Sequence, residues 1–481
     1  MKLVDLPLVD ALEKYSLKNS VRFHMPGHKG RQIGSRLKEL GHNLYSWDVT
    51  EIPGMDDLHQ PEGAIKLAQE KLAELYGADE SFFLVNGASS GIIAMMGAAV
   101  LPGDEILIPR ASHKSVLSGL ILTGARPVYV MPELDEKLGV YTQVTAEAVK
   151  EAIEDNPGVK AALLTNPVYQ GFCPDIESIS KVVHSKSGIL LVDEAQGPHF
   201  GFSSYLPKSA GEFADAWVQS PHKMLTSLTQ SAWMHVKGDR INKSQLKAFI
   251  KLVTSTSPSY ILMASLDMAR GIMEAEGKSF AEKALELADA ARQRINRFTP
   301  FYAVGSEVKG KRGICDIDLS RLMINVSTAG FTGYEVEERL RKDFNIYAEY
   351  ADLCNVYFLV TFSNSKEDME RLTRALSTFK ARGSFQNPVT LPHRLPQAAM
   401  RPQDAFYAPG EYVPLKESLG RVAKDALVPY PPGIPLLMPG ELIEGEHIEI
   451  LEELLISGGR CHGMTNGGQV PVVAEGLISN K

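Results

Sequence analysis

Ile189-Leu190-Leu191-Val192-Asp193-Glu194-Ala195 is an apolar run that ends in an acid. Such a run predicts a central strand, buried on both faces, that delivers a carboxylate at its carboxyl end. Thirty residues after Asp193, Ala216-Trp217-Val218-Gln219 leads into Ser220-Pro221-His222-Lys223, a second strand candidate that delivers serine, histidine and lysine together. Working outward, strand candidates alternate with helical stretches from about 81 to 236. The strands are expected at Ser81–Val85, Glu105–Pro109, Pro127–Met131, Ala161–Thr165, Ile189–Asp193, Ala216–Gln219 and Ser231–Val236. Helices are expected near Ser89–Val100, Lys114–Thr123, Thr145–Glu154 and Ile176–Lys186. This rhythm predicts an α/β fold with a mostly parallel sheet covered by helices on both faces. Ligands of such sheets sit beyond the carboxyl ends of the strands, where Asn86, Asn166, Asp193 and Ser220 fall.

A strand-ending acid and a surface lysine are each common. Paired in this way they suit pyridoxal phosphate. The Lys223 amine would form a Schiff base with its aldehyde, and Asp193 would keep the pyridine nitrogen protonated. Asn86-Gly87-Ala88-Ser89-Ser90-Gly91 lies between a strand and a helix. Small residues let backbone N–H groups approach a phosphate, and a helix N-terminus favours its charge. A turn that merely caps a helix would look the same. Ser220 and His222 are candidates for the other wall of this cup. His113 follows the next strand and could stack on a pyridine ring, although a lone histidine is more often structural.

The rest of the chain divides by texture. Residues 1–60 read as an N-terminal arm with little periodicity, 61–270 as the cofactor-binding large domain, 271–382 as a small α+β domain, and 383–481 as an appended C-terminal domain. In the small domain, helices are expected near Ser279–Arg297, Tyr334–Lys342 and Lys366–Phe379, with strands near Ile346–Glu349 and Val356–Thr361. Pro388, Pro392, Pro396, Pro402, Pro409 and Pro414 make an irregular passage, followed by Pro429-Tyr430-Pro431-Pro432-Gly433-Ile434-Pro435. At 481 residues the chain exceeds one compact core. Its 50 Lys and Arg against 58 Asp and Glu give a net charge of −8, which carries no nucleic-acid footprint. Cys173, Cys315, Cys354 and Cys461 show no metal or disulfide spacing, so no metal is expected and a reducing cytoplasm is the simplest home. Met1-Lys2-Leu3-Val4-Asp5 lacks a signal-peptide core, and no apolar run of the ~18 residues needed to span a membrane occurs.

The chain resembles the bacterial Orn/Lys/Arg decarboxylases in their smaller form. The resemblance runs through Phe23-His24-Met25-Pro26-Gly27-His28-Lys29-Gly30, Asp56-Asp57-Leu58-His59, Asn86–Ser90, His113-Lys114-Ser115, Asp193-Glu194-Ala195, His222-Lys223, Thr256-Ser257-Pro258-Ser259-Tyr260 and Leu436-Leu437-Met438-Pro439-Gly440-Glu441. It implies pyridoxal-phosphate fold type I, the aspartate-aminotransferase fold. It also implies that Lys223 carries the cofactor, Asp193 pairs with its ring nitrogen and His113 stacks on the ring. Ser89, Ser90, Ser220 and His222 would hold the phosphate, with Ala88 in their loop, and Ala195 would pack under the ring. Ala88 stands where the family usually has threonine, Gln196 where relatives often carry histidine or tryptophan, and Val168 where threonine is frequent.

The implied reaction is decarboxylation of a basic amino acid, arginine first, lysine second and ornithine third, feeding polyamine synthesis. His222 or Lys223 would return the proton. Asp56, Asp57, Glu349, Asp352 and His28 are candidates for the substrate pocket, each equally compatible with a structural role. An aminotransferase, which would hold the substrate carboxylate through Arg321 or Arg341, an aldolase-like lyase and a silent cofactor-binding relative are the alternatives. The active unit is expected to be a homodimer or larger, with the arm around His28 and Asp57 reaching the neighbouring subunit's site.

Overall fold

Seven strands make the central sheet of the computed structural model: β1 (Glu80–Leu84), β2 (Glu105–Pro109), β3 (Arg126–Val130), β4 (Val159–Thr165), β5 (Ile189–Asp193), β6 (Ala216–Gln219) and β7 (Ala232–Val236). Their order is β1-β7-β6-β5-β4-β2-β3. The pairs from β6 to β3 are parallel, and β7 runs antiparallel to both β6 and β1. The described residues are 7–31, 35–383, 394–430, 435–456 and 460–474. Pro388, Pro392 and residues 431–434 of the proline-rich stretches lie outside them.

The central strands are apolar throughout because both faces are covered. On one face Leu191, Ala216 and Val218 pack with Ile92, Met95 and Met96 of helix Gly87–Ala99 and with Leu246 and Ile250 of helix Lys243–Leu252. On the other, Leu190, Val192 and Trp217 pack with Val149 and Ile153 of helix Ala146–Asp155 and with Ile179 and Val183 of helix Ile176–Ser185. Truncating one such leucine to alanine costs about 2–5 kcal/mol. Asp193 sits opposite Thr165 of β4 and Val218 of β6. The carboxyl ends of three parallel strands therefore open onto one edge.

A single helix, Tyr260–Phe298, joins this sheet to the next layer. At 1.5 Å per residue its 39 residues run for about 58 Å. Met263, Leu266, Ala269 and Met273 pack with Leu72, Phe83 and Trp233, whereas Leu287, Ala288, Ala291 and Ile295 belong to the core of the small sheet. The domain boundary expected at 270/271 falls inside this helix. Its first half escaped the sequence reading because buried residues lie around much of its circumference, which blurs the 3.6-residue period. The helix is capped by Ser259, whose side chain accepts from the Leu262 N–H.

The small sheet holds β8 (Tyr302–Ala303), β9 (Arg321–Asn325), β10 (Tyr350–Ala351) and β11 (Asn355–Leu359) in the order β8-β9-β11-β10, all antiparallel. Helices Gly333–Phe344 and Lys366–Leu376 cover it. Within the expected arm, residues 21–23 find an ordering surface on the small domain. Val21–Arg22 pairs in parallel with Ile346–Tyr347, and Val21 and Phe23 are buried in the small-sheet core. A two-residue strand is too short to show a period, which is why the segment read as unordered. The C-terminal unit pairs Gly410–Pro414 with Gln469–Val473 and Val428–Tyr430 with Arg460–His462, around a core of Leu427, Leu437, Leu451 and Val472.

Candidate active site

Asp193 ends β5 and is buried; its Oδ1 accepts the Ala195 N–H at 3.0 Å. Lys223 lies in the short helix Pro221–Met224 after β6, its N–H donating to the Ser220 carbonyl at 2.9 Å. Burial pulls the Lys223 amine below the ordinary lysine value; Asp193 opposes that, Arg321 adds to it and Glu349 opposes it. His113 N-caps helix Lys114–Thr123, and its Nδ1 meets the Ser115 Oγ at 2.7 Å. Burial lowers its pKa, with Asp193 opposing and Lys223 assisting. Lysine, acid and imidazole thus act on one another across the strand ends.

His222 directs Nδ1 at the Ser231 carbonyl, 2.8 Å away. A carbonyl only accepts, so Nδ1 carries the hydrogen. Burial pushes this imidazole down to about 4, over the opposing bond to Ser231 and with help from Lys223. His222 thus has its Nδ1–H committed to Ser231 and presents Nε2 as an acceptor.

Helix Gly87–Ala99 starts directly after β1, with Asn86 making no side-chain cap and Gly87 at φ +76°. Its first N–H groups have no intrahelical acceptor and are free to receive an anion. Ser89 is exposed there, whereas buried Ser90 donates its hydroxyl to the Gly87 carbonyl at 2.7 Å. Ala88 packs against the sheet core, and Ser220 and Ala195 are buried. Two buried oxygens, Asn166 Oδ1 at the end of β4 and Thr226 Oγ1 three residues after Lys223, have no hydrogen-bond partner among the described residues. A buried amine, a buried acid, an uncapped helix N-terminus and orphaned polar atoms fit pyridoxal phosphate.

The small sheet and residues 24–31 form the facing wall. Arg321 of β9 is 3% exposed. Its Nη2 donates to the Gln196 carbonyl at 3.1 Å and to Gln196 Oε1 at 2.7 Å, and its Nη1 to the Tyr169 carbonyl at 3.2 Å. Its Nε lies 3.3 Å from Asp318 Oδ2. Glu349 accepts the Tyr169 hydroxyl at 2.5 Å on one oxygen and the Met25 N–H at 2.6 Å on the other. Lys29 is buried, holds a left-handed φ of +55° and donates to the His24 carbonyl at 2.8 Å. Burial pulls its amine down to about 7, with Glu349 opposing, Arg321 assisting and Asp368 opposing. Gly27 donates to the His222 carbonyl at 2.8 Å, and a Cβ there would lie 2.3 Å from the Leu225 carbonyl oxygen. This close approach ties residues 24–31 to their own chain's Lys223 segment.

The remaining candidates separate. His28 sits in this wall, its Nδ1 accepting the Gly30 N–H at 3.1 Å; burial, then Lys29 and Arg22, lower its pKa. Asp352 instead holds its own turn. It accepts from the Cys354 and Asn355 N–H groups, the Asn355 amide and the Tyr357 hydroxyl, while burial raises its carboxyl to about 6. Asp56 accepts five backbone N–H groups around the start of helix Ala64–Tyr76. Asp57 accepts the His59 N–H at 2.8 Å. Arg341 is ion-paired with Glu337 on the surface of its helix. Lys29 stands in a quoted motif without a role, and Tyr169 carries no signal in the sequence. The one sign of Lys29 was its place at the end of the Pro26-Gly27-His28-Lys29 segment.

Comparison with known proteins identifies the family and the fold. Residues 6–312 match the family model "Orn/Lys/Arg decarboxylase, major domain" and residues 386–459 match "Orn/Lys/Arg decarboxylase, C-terminal domain". The chain is 40% identical to the arginine decarboxylase of Bacillus subtilis, over 94% of each chain, and 26% identical to lysine decarboxylase LdcA of Pseudomonas aeruginosa, over 93% of this chain and 75% of that one. The Francisella novicida lysine decarboxylase LdcF superposes with a TM-score of 0.78 at 23% identity, covering 97% of this chain and 81% of that one. The alanine–glyoxylate aminotransferase of Nostoc sp. shares the fold at a TM-score of 0.59 and 15% identity, over 79% of this chain and 97% of that one. These solved structures are enzymes of pyridoxal-phosphate fold type I, a mixed α/β fold with a large, mostly parallel sheet, and this chain shares that fold. This chain belongs to the Orn/Lys/Arg decarboxylases, enzymes that depend on pyridoxal phosphate.

Proposed function

We propose that this chain converts arginine to its amine and carbon dioxide, with lysine second and ornithine third, as a step feeding polyamine synthesis. The observation that carries the reading is Glu349, a carboxylate fixed on the small-sheet wall by the Tyr169 hydroxyl and the Met25 N–H and near enough to Lys223 to oppose the fall of its pKa. A basic side chain extending from the reacting carbon across the site needs an anion on the small-sheet wall, and Glu349 stands there. Arginine leads because the relative at 40% identity is an arginine decarboxylase.

Pyridoxal phosphate, when bound, supplies the electron sink for the bond to the departing carboxylate. Lys223 would hold it covalently and, as a buried amine with lowered pKa, is the group suited to return a proton to the substrate carbon. Asp193 would keep the ring nitrogen protonated, since a buried carboxylate stabilises a cation beside it. His113 would cover one ring face and Ala195 pack on the other. The start of helix Gly87–Ala99, with Ala88, Ser89 and Ser90, and Ser220 with His222 Nε2 and its surroundings, would line the phosphate site.

Arg321 supports a lyase over an aminotransferase. Bidentate recognition of a carboxylate uses two parallel N–H groups on one guanidinium edge. Both Arg321 forks include Nη2, whose N–H groups already go to Gln196. A substrate carboxylate is thus denied a two-point grip and stays free to leave.

The same reading makes the enzyme a cytoplasmic homodimer. Helix Pro7–Ser16 exposes Leu8 and Leu12, and Leu17 and Tyr45 are exposed as well, an apolar set suited to a second copy. Among the described residues no helix is long and apolar enough to cross a membrane. Carbon dioxide release from arginine, lysine and ornithine by the purified protein tests the substrate order. The highest kcat/KM is expected with arginine; a higher value with lysine reverses the order, and release from none of the three refutes the reading.

A further inference from the structure

The turn that carries His113 is held from outside its domain. Arg110, directly after β2, is 3% exposed. Its Nη1 donates to Glu441 Oε1 at 2.5 Å, and its Nη2 to Glu441 Oε2 at 2.7 Å and to the Leu436 carbonyl at 3.0 Å. Glu441 also accepts the Met438 N–H at 2.7 Å, and the Arg110 guanidinium lies 5.0 Å over the Tyr129 ring. From Arg110 the chain turns through Ser112, whose hydroxyl donates to the Pro109 carbonyl at 2.7 Å, into His113. The far end of the helix that His113 caps is gripped as well. Gln403 Nε2 donates to the Ile121 carbonyl at 2.7 Å and lies against Gly124, with helix Pro402–Tyr407 packed alongside. The partners stand 331 and 282 positions apart in the chain.

We propose that Glu441 and Gln403 are positioning residues: the C-terminal unit clamps helix Lys114–Thr123 at both ends and so sets where His113 stands against the cofactor ring. A buried bidentate pair adds little net stability over an apolar replacement, but it permits one geometry. Arg110 is three residues from His113, so a shift of the turn is passed on to the imidazole. The Ser115 N–H donates to His113 Nδ1 and reports on the same geometry. The proposal rests on the reading of His113 as the residue that covers the ring.

The test compares Glu441→Gln, Gln403→Ala and His113→Ala with the wild type. Two readouts are used: the visible circular dichroism of the bound cofactor in the holoenzyme, and hydrogen exchange at the Ser115 and Val116 amides without cofactor. Glu441→Gln should halve the dichroic band and speed exchange at these amides about tenfold. It should lower kcat with KM kept within about twofold. Gln403→Ala should act in the same direction about threefold more weakly, and it decides the matter if Glu441→Gln does not fold. Should His113→Ala change the band while the folded clamp variants keep wild-type exchange and dichroism, the clamp is refuted and the covering role stands. If His113→Ala leaves the band unchanged, both fall.

Discussion

The two walls of the site are built in opposite ways. The sheet-edge wall comes from short contiguous stretches, Asn86–Ser90, His113–Ser115, Asp193–Ala195 and Ser220–Lys223, each delivered by the end of one strand. The facing wall gathers Met25, Lys29, Tyr169, Arg321 and Glu349 from four separate parts of the chain. A cofactor common to many reactions can be held by local motifs. A substrate must be measured across a gap, and only the assembled small sheet and residues 24–31 supply the far side of it. The first wall should therefore govern whether the cofactor is held and activated, and the second which substrate is taken.

Substitutions on the sheet edge should produce the largest losses. Lys223→Ala removes the covalent anchor and should abolish the visible band of the bound cofactor and cut turnover by about 10³-fold or more. A dialysed variant that kept its band and released carbon dioxide would place the anchor elsewhere. Asp193→Asn should retain the fold and some cofactor but lose about 10²–10³ in kcat, as on losing one preorganised electrostatic partner. Near-normal turnover would mean that another acid serves the ring nitrogen.

The seam between the walls should give a mixed effect. Gly27→Ala puts a Cβ 2.3 Å from the Leu225 carbonyl oxygen, against backbone that cannot swing aside. It should destabilise by about 1–3 kcal/mol and reduce kcat, because relief of the clash moves the Lys223 segment. A lowered melting temperature with unchanged kinetics would show that this seam is only packing.

Lys29 gives an effect that grows with pH and has a sharp sign. Its folded value of about 7 lies below the ordinary 10.5, so between those limits the unfolded chain binds the extra proton. Its contribution to stability is complete above about 10.5 and is lost as pH falls towards about 7. Lys29→Met removes that slope. Wild type should therefore gain on the variant by up to about 1.4 kcal/mol per pH unit from pH 7 to 10, read by chemical denaturation. A constant gap between the two proteins would mean that Lys29 stays charged throughout.

The same division explains what could be read from the sequence. Glu105–Pro109 and Lys114–Thr123 appear in the structure as expected, because a five-residue apolar strand and a capped ten-residue helix state their limits locally. Asp193 and Lys223 were legible for the same reason. β9 was missed: its five residues are all buried, with no alternation, and the arginine that opens it is charged yet internal. Glu349 was only one acid among four because nothing near it in the chain marks the Tyr169 hydroxyl or the Met25 amide that hold it. Asp352, a few residues on, looked identical and proved to hold its own turn. Lys29 looked like any loop lysine, since burial by residues far away in sequence is what moves its amine.

The division of labour is tested most directly by Glu349→Gln, measured for arginine and for norleucine, a neutral amino acid of similar reach. Losing the charge of an ion pair to substrate costs about 2 kcal/mol or more, which is about 30-fold. The account predicts that the arginine-over-norleucine ratio of kcat/KM falls by at least that factor while the visible band of the bound cofactor is unchanged. An unchanged ratio, or loss of the band together with activity on both substrates, would contradict it.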